Sequence, residues 1–452
     1  MARVVKALKT IRNNWKKSIF FFGAALYGVR YGVDKYKYEL NSLYLVCFST
    51  FQLMRAYCEE ALQYGELMLP KGGRPRHITV ILNPAANRRT SKKNFEKYCA
   101  PMLHLAGICV DIIQTEFEGQ ARGLVESLDS VVDAIVVAGG DGTASETVTG
   151  LLRRADGDLA LQRKFPIGIL PLGRTNTVAR SLFMDSNNVK MMAEATMAII
   201  KEVTKPIDVI KIEVLETETD IPGKPVYCLG GIQWGAYRDA HAKRDKYWYW
   251  GVLRSYVSYI FMGMKGEKAG MSWQCEGHLN YVLPCKGCSK CKIEEKSENS
   301  SYRWWHVFIP KHTSASGNAA DKDYSNVINE QCGTNLQKEI STVDLNVTTA
   351  NTSPKCIRDG DPHIQVALGP PSVGYTEFVS EGWRRENGEM PCYENILEVR
   401  ELELRPVLKE TKSEDQQQWI SIDNEDYEVK PIHATLLPKK VHVFCKPADN
   451  IS

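Results

Sequence analysis

Ala134-Ile135-Val136-Val137-Ala138-Gly139-Gly140-Asp141-Gly142-Thr143 is the stretch from which the fold is read. An apolar run ends in three glycines around one aspartate, and Thr143-Ala144-Ser145-Glu146 follows as a helix start. A buried strand that hands a glycine turn to a helix N-terminus is suited to phosphate. Its backbone N–H groups approach an anion with no Cβ in the way, and the helix dipole favours negative charge there. Asp141 adds an oxygen suited to Mg²⁺ beside a polyphosphate. Taken alone, the same residues also make a tight turn that is merely rich in glycine.

On either side of this stretch, strand and helix patterns alternate. Ile78 to Leu82 is a short apolar strand stopped by Asn83-Pro84. Phe95, Tyr98, Met102 and Leu105 have helical spacing, and Gly107 ends that helix before a strand at Cys109–Ile113. A helix around Ala121–Leu128 leads into the central strand; a helix Ala144–Arg153 and a strand Ile167–Leu170 follow it. Such alternation predicts an α/β domain over 75–205, a parallel sheet with helices on both faces. Ligands of these sheets sit at the carboxyl ends of the strands, where Asn83, the glycine turn and Pro171-Leu172-Gly173-Arg174-Thr175-Asn176 all fall. Asn83 either caps its loop or holds a nucleotide. Arg88, Arg89, Lys92 and Lys93 meet phosphate or are simply solvated. Thr175 and Asn176 bond a nucleotide or N-cap the next helix. The sequence has no Gly-x-x-x-x-Gly-Lys-Ser/Thr, and no Gly-x-Gly-x-x-Gly follows a strand, so neither a P-loop nor the usual dinucleotide fold is supported.

Composition narrows the class further. Of 452 residues, 43% are hydrophobic and 25% charged, as in a globular protein. A net charge of +3, with no basic stripe interleaved with aromatics, argues against nucleic acid as a partner. The 13 cysteines are odd in number and scattered through apolar segments, which favours buried thiols over a disulfide framework.

The ordered set Asn83-Pro84, Gly139-Gly140-Asp141-Gly142-Thr143 and Pro171-Leu172-Gly173 with Asn176 resembles the diacylglycerol kinase catalytic family, which includes sphingosine and ceramide kinases. Ala100-Pro101-Met102-Leu103-His104-Leu105, Asp208-Val209 and Lys246-Tyr247-Trp248-Tyr249 are similar to the mitochondrial acylglycerol kinases of animals. The likeness runs from about Arg55 to Lys446. It departs at Arg174, where many lipid kinases have Thr, and in the first loop, where they have a glycine in place of Asn87 or Arg88. The resemblance implies ATP on Asn83, Pro84, Gly139, Gly140, Asp141, Gly142, Thr143, Gly173 and Asn176. It places Arg254 towards the nucleotide phosphates and Asp239 towards the substrate head group.

After Pro206 short strands dominate, predicting an antiparallel sandwich or barrel over 206–446; the resemblance implies a β-sandwich domain that receives the lipid. Leu397 and Val399 alternate with charged residues, and the phase slips by one before Leu402 and Leu404, as a β-bulge would produce. Asp423-Asn424-Glu425 resembles the family's Asp-Gly-Glu, with an Asn that tolerates the left-handed conformation. On the residues alone it is an acidic turn. The resemblance makes Glu425 the general base, Asp423 its orienter or metal partner, and Asp141 the organiser of Mg²⁺ and phosphates.

Two regions fall outside this frame. Residues 1–60 combine a basic helix free of acids (Val4, Leu8, Ile11 and Trp15 on one face) with two apolar runs, Ile19–Val29 and Leu40–Met54, each short of a full span. This predicts a targeting and membrane-associated segment. A polar insertion over 271–353 carries Cys285, Cys288 and Cys291 at a spacing that suits zinc or a cluster, with Cys275, His278 or His306 as a fourth ligand; the alternative is three unliganded, oxidisable thiols.

The expected activity is an ATP- and Mg²⁺-dependent kinase of monoacylglycerol and diacylglycerol, making lysophosphatidic and phosphatidic acids. The expected place is a mitochondrial membrane, at the inner membrane or facing the intermembrane space. Sphingosine or ceramide kinase, NAD kinase, and a non-catalytic partner of an inner-membrane import translocase are the alternatives.

Overall fold

The computed structural model describes residues 48–67, 73–128, 132–154, 165–184, 187–215, 223–269, 275–285, 288–290, 327–352, 362–407 and 418–447. The basic segment and first apolar run expected near the N-terminus lie outside them.

The strands in chain order begin with β1 (His77–Leu82), β2 (Cys109–Gln114), β3 (Ala134–Gly139) and β4 (Ile167–Pro171), which pair in parallel in the order β2-β1-β3-β4. Every residue of β3 and β4 is buried, which is why both read as continuous apolar runs rather than alternating ones. The chain steps outward from β1 to β2 and then crosses back past β1 to β3. Right-handed crossovers in opposite directions place their helices on opposite faces. The helices Gln120–Glu126 and Asp141–Arg153 accordingly pack together, while Asn188–Lys201 packs on β4 and on the helical segment 95–105. That segment is not one regular helix. Phe95–Cys99 forms a π-helical turn before Ala100–Leu105, because Pro101 lacks an N–H and its ring crowds the turn before it. Reversal of strand order opens a crevice between the ends of β1 and β3, where the Asn83 loop and the glycine turn emerge.

Then come β5 (Thr204–Val214), β6 (Val226–Cys228), β7 (Gly231–Gly235), β8 (Cys275–Val282), β9 (Asn335–Thr342), β10 (Asp344–Thr349), β11 (Ile364–Leu368), β12 (Asn395–Val399), β13 (Glu401–Pro406), β14 (Trp419–Ile422), β15 (Glu425–Glu428) and β16 (Ile432–Phe444). A six-stranded antiparallel sheet runs β12-β11-β10-β7-β14-β15. Opposite it, β5, β6, β16, β13, β8 and β9 pair antiparallel, and both sheets feed one core that includes Ile210, Trp234, Leu279, Leu345, Val366, Leu404 and Ile432. This is the sandwich, one of the two architectures that the short strands predict.

Two features of the joins were not in the sequence reading. β16 also pairs with β4, so the parallel sheet and one layer of the sandwich form a single ten-stranded sheet, and Val441, Val443 and Phe444 belong to the first core. The register of β16 against β5 shifts between Leu437 and Val441. Lys439 there is left-handed (φ 52°), and its N–H donates to the Asp208 carboxylate at 2.8 Å. The phase slip near Arg400, by contrast, is not a bulge. β12 belongs to the six-stranded sheet and β13 to the other; the chain changes layers at Arg400, which moves the inward side by one residue.

A helix over 48–65 precedes β1. Ala61 is fully buried in the first core, Met54, Tyr57 and Tyr64 pack against it, and Lys201 pairs with Glu60 at 2.6 Å. The described part of the second apolar run is thus the start of a helix docked on the α/β core. Among the described residues no helix is long and apolar enough to cross a membrane.

Candidate active site

The loop after β1 is anchored by Asn83. Its N–H donates to Ala138 O (3.1 Å), its Oδ1 accepts from the Ala85 N–H (3.0 Å), and its Nδ2 donates to Thr143 Oγ1 (3.2 Å). Asn83 therefore ties its loop to the glycine turn. Just beyond, Asn87, Arg88 and Arg89 are all left-handed (φ 49°, 55° and 65°). Each such non-glycine residue costs about 1–2 kcal/mol. Strain of this kind persists where surrounding structure imposes it, and it concentrates at functional loops. Arg88 and Arg89 are exposed beside the crevice, as a phosphate-facing role requires.

The glycine turn and the loop after β4 meet backbone to backbone. A Cβ on Gly173 would lie 2.3 Å from the Gly140 Cα, so the loop after β4 tolerates no side chain at this contact. Asn176 closes its own loop, accepting from the Gly173 N–H and donating to Gly173 O, both at 3.0 Å. Asp141 is 5% exposed and occupied on both oxygens. Oδ2 accepts from Thr177 N (2.9 Å) and Asn424 Nδ2 (3.0 Å), and Oδ1 from Val178 N (3.3 Å). Burial raises its pKa, and these donors pull the other way.

Asn424 comes from the hairpin β14–β15. Asp423 and Asn424 are its two turn residues, both left-handed (φ 50° and 67°), the geometry that matches a hairpin's twist and favours Asn and Asp. Asp423 is 3% exposed, and its carboxylate accepts from the N–H groups of Leu229 (2.9 Å), Gly230 (2.6 Å) and Gly231 (3.0 Å) and from the Cys228 thiol (3.1 Å). It holds the hairpin tip to the start of β7 and so sets Glu425 through the backbone. Glu425 itself lies on the glycine turn: a Cβ on Gly142 would meet its Oε1 at 2.2 Å. Tyr427 Oη donates to it at 3.2 Å. Burial, followed by the charges of Glu146 and Glu118, pushes its pKa up to about 7.

Facing this acidic corner is a basic one. Asp245 accepts from Arg174 (2.6 Å) and pairs with Arg254 (3.3 Å). Against the opposing effect of burial, the Arg174 hydrogen bond and the charges of Arg174, Arg254 and Arg244 hold Asp245 below the usual carboxylate range. Arg244 is buried, and its Nε has no partner among the described residues. Three guanidiniums around one carboxylate leave net positive charge for phosphates. Asp239 pairs with Arg238 (2.7 Å), which also binds Asp426. Arg174, Arg244, Arg238 and Asn424 line one cavity; a second of about 380 Å³, lined by Tyr237, Asp344, Arg385 and Tyr393, shares Gln233, Arg238, His241 and Asn424 with it. The result is a continuous cleft from the nucleotide loops along the outer face of the six-stranded sheet, where Gln233 and Asn346 point away from the sandwich core and towards the helices Ala236–Ala242 and Tyr375–Glu386. In its far wall Arg385 bonds Asp344 (2.8 Å) and stacks over the Tyr237 ring at 3.9 Å.

Sequence reading did not find Arg244, Asp245, Gln233 or the Glu118–Glu146–Glu425 grouping, since nothing local marks them; Arg174 was visible only as a departure. The cysteine cluster also differs from expectation. Cys285 and Cys288 lie together, but with Cys332, while Cys275 and His278 on β8 do not join them. Cys291 and His306 lie outside the described residues.

A family model for the diacylglycerol kinase catalytic domain matches residues 77–212, and one for the acylglycerol kinase C-terminal region matches 229–451. The chain is similar to the mitochondrial acylglycerol kinase of Xenopus laevis, with 34% identity over 99% of this chain and 96% of that protein. It is similar to the human one, with 31% identity over 97% and 96%. Over 40% of its length it is 31% identical to a sphingosine kinase of Arabidopsis thaliana, covering 36% of it. A crystal structure of a diacylglycerol kinase from Bacillus anthracis superposes with a TM-score of 0.47 at 17% identity, covering 83% of this chain and 99% of that one.

Proposed function

The chain belongs to the acylglycerol kinase family and is a lipid kinase; on that premise we propose that it phosphorylates monoacylglycerol and diacylglycerol at a mitochondrial membrane. The observation that carries this reading is the docking of Glu425 on Gly142. It sets a carboxylate of intermediate basicity against the turn that would cradle the ATP phosphates. As the acceptor hydroxyl bonds the γ-phosphorus and ADP leaves, Glu425 takes the hydroxyl proton. Arg174, Arg244 and Arg254 face the phosphates, and the Asp239–Arg238 pair faces the glycerol head group at the mouth of the second cavity.

Mg²⁺ bound to the polyphosphate would neutralise charge there. The donor set fits an ion that keeps its waters, because Asp141 already accepts three protein donors and would meet it through water. Asp141 positions the loops in either case.

The membrane reading rests on residues 248–253, between the Asp239 helix and Arg254. Trp248 is 73% exposed, Val252 91%, and Tyr249, Trp250 and Leu253 are exposed beside them, with Lys243 and Lys246 in the same segment. Aromatic and aliphatic side chains beside lysines suit an anionic interface. The substrate reading is tested with purified protein and labelled MgATP against acylglycerols, ceramide, sphingosine and NAD. Phosphorylation of both acylglycerols is expected; turnover confined to sphingosine, ceramide or NAD would refute it.

A further inference from the structure

Residues Cys285, Cys288 and Cys332 play no part in the cleft, yet the fold brings them together. The β8–β9 ladder ends at the pair Val282↔Asn335. Cys285 stands three residues beyond one end and Cys332 three before the other, so strand register sets the two opposite each other. Cys288 joins them by a two-residue spacing. The three Sγ atoms all lie within 4.8 Å of one another. With Zn–S bonds of about 2.3 Å, sulfurs on a tetrahedral zinc are about 3.8 Å apart, so this grouping needs only a small contraction.

Local structure holds the sulfurs in place on both chain segments. Asn329 organises one side: its Nδ2 donates to Cys285 Sγ (3.3 Å), its Oδ1 accepts from the Gln331 N–H (3.1 Å) and its carbonyl accepts from the Cys332 N–H (3.2 Å). Gly333 follows in the left-handed region (φ 80°), and the Ser289 N–H bonds Val327 O (3.0 Å), tying the Cys288 segment to the Cys332 segment. A hydrogen bond of this kind fixes the orientation of a metal-binding sulfur. Cys288 is fully buried, and none of the three is in a disulfide. A disulfide would use two sulfurs and leave the third without a role in the cluster; a metal uses all three.

We propose that Cys285, Cys288 and Cys332 bind a structural zinc ion that clamps the two ends of the long connection between β8 and β9. Thiolate ligands select a soft or borderline cation, and zinc needs no redox partner. Among the described residues no fourth His, Cys, Asp or Glu joins the group, so the claim rests on the three sulfurs. Closing so long an excursion at its base removes chain entropy, and metal binding there adds to folding stability.

Metal analysis of the full chain, purified with zinc present and without chelator, tests this directly. One zinc per chain is expected, released when a mercurial blocks the thiols. Cys332→Ser should bring the content close to zero, while Cys275→Ser, on the same β8 but outside the cluster, should keep it. Absence of zinc from the wild-type chain after reconstitution would overturn the proposal, whatever the variants do. So would a Cys332→Ser protein with full zinc, or thiol titration of anaerobically purified wild type showing a disulfide among the three.

Discussion

The glycine turn at 139–143 and the hairpin tip at 423–425 touch through the Asn424–Asp141 hydrogen bond, and both carry buried acids, but the acids differ in company. Asp141 and Asp423 have donors on every side: three for the first, four for the second. Glu425 has one tyrosine hydroxyl and three like charges, Glu146, Glu118 and Asp423. A buried carboxylate saturated with donors braces the loops that supply them. One raised by burial and by neighbouring acids is poised to accept a proton. The difference shows that motif membership alone does not assign roles within Asp423-Asn424-Glu425.

The sharpest way to break this comparison is Glu425→Gln. As the base, Glu425 supplies about 10²–10⁴-fold in rate, so kcat should fall by that much while nucleotide binding persists. Stability should move the other way. Its folded pKa, about 7, lies above the ordinary carboxylate value. Between those values the folded state holds a proton that the unfolded state has released, so this group's contribution to stability falls as pH rises towards 7. Above that the ionised carboxylate is a standing cost, and the Gln variant should melt higher at pH 8. Unchanged kcat would remove Glu425 from the chemistry.

Asp423→Ala should reverse the pattern. It leaves three backbone N–H groups without their acceptor, at about 1–3 kcal/mol each, so the loss of stability should be at least about 3 kcal/mol in chemical denaturation. A variant that stays as stable as the wild type but loses activity would mean that Asp423 acts on the substrate or metal.

How far the sequence carried the reading depends on the range of each interaction. The strands β1, β3 and β4 and the glycine turn were legible because apolar runs and turn glycines act locally. For Asp423 the resemblance implied an orienter of Glu425 or a metal partner; the donors that hold it lie at 228–231, too far away in the chain to be legible. The slip at Arg400 was legible as a slip, but a bulge and a change of sheet produce the same one-residue phase shift. Cys332 has no cysteine at metal-ligand spacing, so only the β8–β9 register could pair it with Cys285. The left-handed run at Asn87–Arg89 was not legible, since none of the three is a glycine.

Asn424 sits between the brace and the base, and its effects should be intermediate. Asn424→Gly keeps the left-handed turn and loses one of three donors to Asp141, so kcat should change by only a few-fold. Asn424→Val puts a β-branched side chain at φ 67° and should cost about 1–2 kcal/mol more than the glycine variant. Equal stability of the two in thermal melts would show that the turn geometry is not what holds the hairpin tip on the glycine turn.

The smallest expected effects are shifts of the acid limb of kcat/KM, and they test most directly why Glu425 differs from its neighbours. The free-enzyme profile should fall below about pH 7 as Glu425 takes its proton. Glu146 is the largest charged contributor to that elevation, so Glu146→Gln, which keeps an oxygen for the Gly119 N–H, should move the limb to lower pH. Tyr427→Phe removes a hydrogen bond that favours the carboxylate and should move it to higher pH. Loss of packing lowers the rate without displacing a pH limb, and general damage to the site cannot shift the two variants in opposite directions. Shifts of the same sign would place the controlling ionisation elsewhere in the cleft, where burial also raises Asp141, Asp239 and Asp344.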